Sequence, residues 1–571
     1  MGLETLSREG GAVRRGAAHL FKSLTRSVRQ QGFNREAFSG LPPEERQKFE
    51  LFGQGVFEQV PYDVIHHAIE KHSHEQADKI AARHLDQQIS YGELNQQAER
   101  LSAELSLRGI GRGDNVGLFV ERSIPMLVGI LAILKTGAAY VPQDARITPA
   151  TQLDQIIESA DIRVILTLSH LQESIPVGTN REILTIDQML PEANNGRIYL
   201  YASLPKTAVQ QQDDCFVLFT SGTTGRPNGV RVTHGNVCNI LLTEPGSLGM
   251  KPGSQVSQLL NIAFDMAAWE ILGCLAHGAT LVIRGKDFNE AAQQADVIIA
   301  TPSILGTIDA DLCNRVRTVA VAGEPCPRPL ADKWAARCRF YNGCGPTETT
   351  IINTAQHYCS SSPRLTIGKP TPNNTVYILD EHMQPCRVGE VGEIWAGGAG
   401  VTAGYINNPQ LNQDRYRLDP FLNNGSQMFR TRDLGRWTDD GELEHFGRTD
   451  DQVKVRGFRV ELDSVSAVME GVEGCQQAVT LKLDDNNLVS FVRPAVVDLE
   501  HCRQAVAAAL PYYCIPATVV ALDHFPMTSR GKVDKRALLE NSFENSLEKE
   551  PKSLTDRPAA IETEEPEGVA S

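Results

Sequence analysis

The sequence predicts an α/β fold built on parallel sheets with helices on both faces. Three observations carry that expectation. Short Val/Ile/Leu runs alternate with longer segments of helical length, the pattern of strands joined by crossover helices. The chain has 571 residues, enough to bury a large core in more than one domain. One apolar run, Cys215–Phe219, empties directly into a Gly/Ser/Thr loop, as a buried strand does when it presents backbone N–H groups to a ligand. In chain order the expected elements are a strand at Val116–Phe119, a helix at Pro125–Lys135 and a strand at Ala139–Val141. Further strands are expected at Val164–Thr167, Val297–Ala300 and Val316–Val321.

Composition excludes several function classes. The net charge of −15 argues against nucleic acid or an anionic membrane as partner, since both demand basic surface. No apolar run reaches the roughly 18–20 residues needed to span a bilayer. Twelve cysteines without a C-x-x-C pair suggest neither a zinc site nor a disulfide framework, so a cytoplasmic protein with reduced thiols is expected. The first thirty residues are basic, but Leu6 stands where myristoylation wants Ser or Thr. After about Glu540 the chain turns acidic and poor in aromatics, so residues 541–571 are expected to be a disordered tail.

The loop FTSGTTGRPNG, Phe219–Gly229, is suited to phosphate: glycines permit close backbone approach, and Thr220, Ser221, Thr223 and Thr224 add hydroxyls around Gly222 and Gly225. It lacks the Gly-Lys-Ser/Thr of a Walker loop. Downstream stand FDMAAWE (Phe264–Glu270), NGCGPTETT (Asn342–Thr350), FRTRDLGRW (Phe429–Trp437), GRTDDQVKVRGFRVEL (Gly447–Leu462) and PMTSRGKVDKRAL (Pro526–Leu538). With YGELN, LKTGAAYVP and GEIWAGGAGVTAGY, these motifs in this order closely resemble those of adenylate-forming enzymes. The nearest resemblance is to the amino-acid adenylation domain of nonribosomal peptide synthetases, and it runs from about Pro61 to Leu538.

That resemblance implies a large N-terminal domain, 61–447, with two helix-covered sheets and a distorted barrel, followed by a small mobile C-terminal α/β domain, 448–540. Residues 1–60 resemble the linker between a condensation domain and the adenylation domain after it. The implied reaction is attack of a carboxylate on the α-phosphate of ATP, with Mg²⁺, followed by transfer to a phosphopantetheine thiol on a partner peptidyl carrier domain. Two anions must meet, so positive charge and in-line positioning are required. Lys532 matches the lysine that bridges α-phosphate and substrate carboxylate. Glu348 matches the Mg²⁺ ligand, a hard carboxylate suited to that ion, and Thr347 a donor to the α-phosphate. Asp433 would accept both ribose hydroxyls, with Arg448 and Cys344 beside the nucleotide. Asp450 falls at the hinge, and Lys454 and Gly457 in the loop used for thioester formation.

The substrate is implied to be an α-amino acid whose ammonium pairs with Asp265. The side-chain pocket would be formed by Met266, Trp269, Ile299, Ala320, Ala322, Gly343, Ile351 and Ile352, none of them charged. A floor of Ala, Ala and Gly with apolar walls predicts a large uncharged side chain, because an ion there would lie unpaired. A δ-N-acylated hydroxyornithine, as in fungal siderophore synthetases, fits, and so does a bulky apolar or aromatic residue. Three positions depart from the family pattern. Asn228 replaces a loop lysine, at a cost of roughly 1.5–3 kcal/mol in a charge-assisted bond, with Arg226 and Arg231 close enough in sequence to compensate. Cys344 replaces an aromatic that stacks on adenine, worth ~1–3 kcal/mol by analogy with base stacking. Arg432 replaces the glycine before Asp433. Two alternatives stay open: a degenerate domain with a docking role, favoured by these departures, and an acyl- or aryl-CoA ligase, disfavoured by Asp265.

Overall fold

The computed structural model describes residues 33–176, 178, 181–189, 208–222, 226–527 and 533–540. Thr223, Thr224, Gly225, Lys532, residues 1–32 and the expected tail at 541–571 lie outside these.

Two large sheets dominate. The first runs in the order Glu182–Thr185, Val164–Thr167, Asn115–Phe119, Ala139–Gln143, Asp214–Thr220, Asn228–Thr233, parallel except for the last pair. The second has nine strands, with Gln255–Gln258, Val297–Ala300, Thr318–Val321 and Arg339–Cys344 parallel at its centre and antiparallel pairs at both edges. The expected strands are all present. Helix Ile124–Thr136 is apolar around its whole circumference, and eleven of its residues are buried, as such a helix requires. Its ends are well specified: the Ser123 hydroxyl accepts the Met126 N–H, and Gly137 closes the helix in the left-handed region. One continuous apolar core joins this helix to both sheets.

The expected barrel is instead an open sheet of five antiparallel strands, among them Asn374–Leu379, Gly392–Gly398 and the long Gln427–Trp437. The described part of the segment expected as a linker, residues 33–60, packs on this unit. Helix Pro43–Phe52 places Phe49 against Tyr377 and Phe421, with ring centroids 5.5 and 5.2 Å apart, and Phe38 joins the same cluster. Each buried ring of this kind contributes about 1.5–3 kcal/mol.

After Arg448 the chain leaves the open sheet and forms the small domain. Hairpin Gln452–Val455/Phe458–Glu461 is followed by helix Leu462–Glu470, a three-stranded sheet and helix Leu499–Ala509 around Val465, Met469, Val492 and Val506. No helix among the described residues is long and apolar enough to cross a membrane.

Beneath the first sheet two buried imidazoles, His66 and His234, lie 5.6 Å apart. Neither ring nitrogen of His234 has a hydrogen-bond partner among the described residues. Burial, with His67 nearby and against the pull of Asp213, lowers its pKa to about 4. His66 is lowered by burial, by His234 and His67, and by Lys135. A depressed histidine favours the fold while neutral. The stability it contributes is complete above the unfolded-state value near 6.5 and is lost as pH falls toward 4. Unfolding free energy measured by urea titration is therefore expected to drop between pH 6.5 and 4, and His234→Leu to flatten that limb.

Candidate functional site

A cavity of about 930 Å³ lies between the second sheet, the phosphate-suited loop and the small domain. The small domain's hairpin enters it. Lys454 reaches the cavity beside Asp265 and Asp433, and burial together with Arg459 lowers its pKa. Gly457 passes close to Thr301 and Glu324. Phe458 stacks on Tyr513 at 3.9 Å and meets Phe264 edge-on at 4.8 Å, so the small domain touches the residue preceding Asp265.

The first residues of the loop are held by the same hairpin and by the helix that follows it. Ser221 Oγ donates to the Arg459 carbonyl at 3.1 Å, and the Ser464 hydroxyl donates to the Gly222 carbonyl. A Cβ at Gly222 would stand 2.1 Å from the Arg226 carbonyl oxygen, so only glycine fits there. Asn228 accepts from Asn408 at 3.1 Å, and Arg231 is committed to Asp214 at 2.8 Å, which leaves Arg226, exposed, as the nearer cation.

Glu348 is fully buried on a short 3₁₀ turn, Thr347–Thr349. Arg459 Nη1 donates to both its oxygens, at 3.1 and 2.9 Å, and the Tyr405 hydroxyl donates at 2.6 Å. Burial alone would raise the Glu348 pKa. Arg459, then Arg415 and Tyr405, outweigh it and bring the value down to about 2. The carboxylate expected to hold a metal ion is thus neutralised here by an arginine of the other domain.

Asp433 receives Arg448 Nη1 at 2.9 Å and His445 Nε2 at 3.3 Å, both on Oδ1. Burial opposes ionisation of Asp433, but His445 and Arg448 hold its pKa below the ordinary value. Gly447 N–H donates to His445 Nδ1, which assigns the ring as the Nε2–H tautomer. Sequence reasoning missed His445 and Arg459. Arg459 stands inside the motif beside the hinge, whereas His445 falls between motifs and carries no such signal. Arg448 also donates to both oxygens of Asp450, at 2.7 and 3.0 Å, so ribose-suited and hinge carboxylates share one guanidinium. Cys344 lines the cavity, its thiol pushed up to about 12 by burial.

The substrate positions divide. Asp265, Met266, Gly343 and Ile351 line the cavity together with Thr347, and the Met266 N–H donates to Asp265 at 2.7 Å. Burial raises the Asp265 pKa, against the opposing charge of Lys454. Trp269, Ile299, Ala320, Ala322 and Ile352 are all at most 2% exposed and belong to the core. Trp269 Nε1 donates to the Gly246 carbonyl at 2.6 Å, which holds the indole there. Thr350 and Ile351 are β-branched residues at φ 60° and 70°, a strained turn of the kind found at binding sites. It puts Ile352 over Gly343, whose Cβ would lie 2.9 Å from Ile352 Cγ2. At Gly343 the room expected for a pocket floor is therefore taken by Ile352, while Ala320 and Ala322 lie in the core.

Residues 69–406 match the model of the AMP-binding enzyme family. This chain belongs to that family. As an AMP-binding enzyme it is of the adenylation-domain type found in nonribosomal peptide synthetases. It is 44% identical over 519 residues to adenylate-forming reductase 03009 of Coprinopsis cinerea, covering 90% of this chain and 50% of that protein. To gramicidin S synthase 1 of Brevibacillus brevis it is 33% identical, covering 83% of this chain and 44% of the relative. The chain spans about half the length of these curated relatives. Among solved structures, an NRPS protein containing adenylation and PCP domains, bound to a vinylsulfonamide inhibitor, superposes with a TM-score of 0.75 at 25% identity, covering 85% of each chain. An adenylation–PCP fusion from Klebsiella oxytoca gives 0.72 at 23%, covering 80% of this chain and 93% of that one.

The Glu348–Arg459 pair yields a test in this AMP-binding enzyme. Glu348→Ala leaves the guanidinium buried without its carboxylate, and urea unfolding should report a loss of about 3–5 kcal/mol at pH 7. Because the folded-state pKa is depressed, the contribution of Glu348 is present above the unfolded value and is lost as pH falls toward 2. The difference between variant and parent should therefore shrink in acid.

Proposed function

We propose that this chain joins the carboxylate of an α-amino acid with an uncharged side chain to AMP, and then passes the acyl group to the phosphopantetheine thiol of a carrier domain. A carboxylate oxygen attacks the α-phosphorus, the bond to the β-phosphate oxygen breaks, and pyrophosphate leaves. The observation that carries this reading is Asp265: an ionisable side chain lining the cavity, pushed toward its neutral form by burial against the pull of Lys454, where an α-ammonium would supply a second positive charge.

The remaining roles follow the motifs. The loop Thr220–Gly225 holds the phosphates, Asp433 orients the ribose with Arg448 and His445 fixing its outer oxygen, and Thr347 donates to the α-phosphate. Lys532 bridges phosphate and carboxylate. Glu348 is the residue that would hold Mg²⁺, which when bound neutralises phosphate charge. Arg459 occupies the same carboxylate oxygens in the orientation described, so ion and arginine exclude each other there. That competition supports two domain orientations, one for each half-reaction, with Lys454 and Gly457 serving the transfer.

A second reading has its own support. The relatives named adenylate-forming reductases suggest that the acyl thioester made here is reduced by another part of a longer protein. Both readings share the first step, so ATP–pyrophosphate exchange over a panel of acids is the test. Neutral α-amino acids should support exchange; free ornithine, lysine and glutamate should not. Asp265→Ala should cut the amino-acid rate by about 10- to 100-fold, the worth of one charge-assisted bond. Exchange with acids lacking an α-amine, undiminished in Asp265→Ala, would sink the ammonium assignment. Ile352→Ala should extend acceptance to larger neutral side chains by vacating the space over Gly343, read as a fall in KM for the larger substrate.

A further inference from the structure

Arg432 is a bulky residue in a conformation that favours glycine. Its φ is 65°, in the left-handed region, where any side chain is strained against its own backbone. The position sits within strand Gln427–Trp437 of the large domain, one residue before Asp433. Such strain persists where surrounding contacts over-determine it, and here those contacts converge on the hinge. Arg432 Nη2 donates to Asp414 at 2.9 Å, while Nη1 lies 3.6 Å from Asp450 Oδ2. The Arg432 carbonyl accepts the Thr449 N–H at 2.9 Å and the Thr449 hydroxyl at 3.2 Å.

We infer that Arg432 is a hinge latch, a positioning residue that biases the small domain toward the orientation in which the Lys454 hairpin fills the site. The guanidinium ties the hinge carboxylate to Asp414, at the end of helix Pro409–Arg415, and the strained carbonyl fastens the residue before it. Arg448, on the neighbouring strand and tied to Asp433, also pairs with Asp450, so the hinge carboxylate has two guanidiniums on its large-domain side. Arg432 is anchored in the large domain. Glycine at this position would keep the backbone and its carbonyl contacts without strain but lose the charge bridge. Rotation about Asp450 would then begin from a less favoured starting state, and the balance of the two half-reactions would move toward adenylation. That functional consequence rests on the two-step reading above, whereas amide exchange reports the latch whatever the substrate.

The test is hydrogen–deuterium exchange with mass spectrometry on the whole chain, comparing the parent with Arg432→Gly, Arg432→Asn and Arg432→Lys. Gly and Asn both tolerate the left-handed region, and Lys retains the charge. Gly and Asn should raise exchange in residues 452–461 about two- to fivefold, the population shift a partly exposed charge bridge supports. Segments facing the hairpin, around Phe264 and Thr301, should follow. The thermal midpoint should be unchanged or higher, and Lys should retain part of the protection. Unchanged exchange in 452–461 for both Gly and Asn would overturn the latch. So would a uniform rise across both domains with a lowered midpoint, which would assign Arg432 to the fold alone.

Discussion

The structure turns on one buried ion pair. Glu348 belongs to the large domain and Arg459 to the small one, and each would be prohibitively expensive where it lies without the other. Their pairing seats the hairpin, and the seated hairpin does the rest. It brings Lys454 to the cavity, sets Phe458 against Phe264 and gives Ser221 its partner from Arg459, while the helix that follows supplies Ser464 to Gly222. Charge neutralisation and domain orientation are the same event in this molecule. Anything that competes for the Glu348 oxygens also competes for the position of a whole domain.

Much of the fold was legible because burial writes itself into composition. Val164–Thr167 and Val297–Ala300 are four-residue apolar strands with every residue buried, and no amphipathic alternative competes with that reading. Asp265 was legible for a related reason, as a carboxylate inside the apolar FDMAAWE segment where charge is costly without a task. Glu348 and Asp433 were legible only through the resemblance of their motifs. Other features had no local signature. Arg459 looks like any strand-end arginine until the small domain is docked, because its partner lies 111 positions away. The five-stranded sheet was expected to close, but closure depends on edge registers that short strands do not encode. The pocket floor failed for a different reason. The space over Gly343 is taken by Ile352, which the turn at Thr350–Ile351 places there, and residue volumes alone do not reveal a backbone turn.

The departures from the family pattern acquire different weights once placed. Asn228 is integrated through Asn408, a neutral exchange of hydrogen bonds where the pattern has a cation. Cys344 contributes a small, protonated thiol to the cavity wall, and His445 donates to Asp433 in the same cavity. Arg432 keeps the backbone geometry of the glycine it replaces and adds two ion pairs. Loss of function would be expected to scatter, yet these substitutions are each accommodated by specific partners.

The aromatic cluster beneath the open sheet bears on how such domains are exchanged between proteins. Phe38 and Phe49 come from the segment before residue 60, while Tyr377, Trp395 and Phe421 come from more than three hundred residues later. A recombination point placed at residue 60, which motif boundaries alone would recommend, divides a single packed unit between two parents. The grafted domain would then carry an uncovered aromatic face, and the donor's leading segment would carry its mate. A workable module therefore begins upstream of Phe33, where the first pairing of this segment with the sheet unit, Phe33 with Leu422, is made.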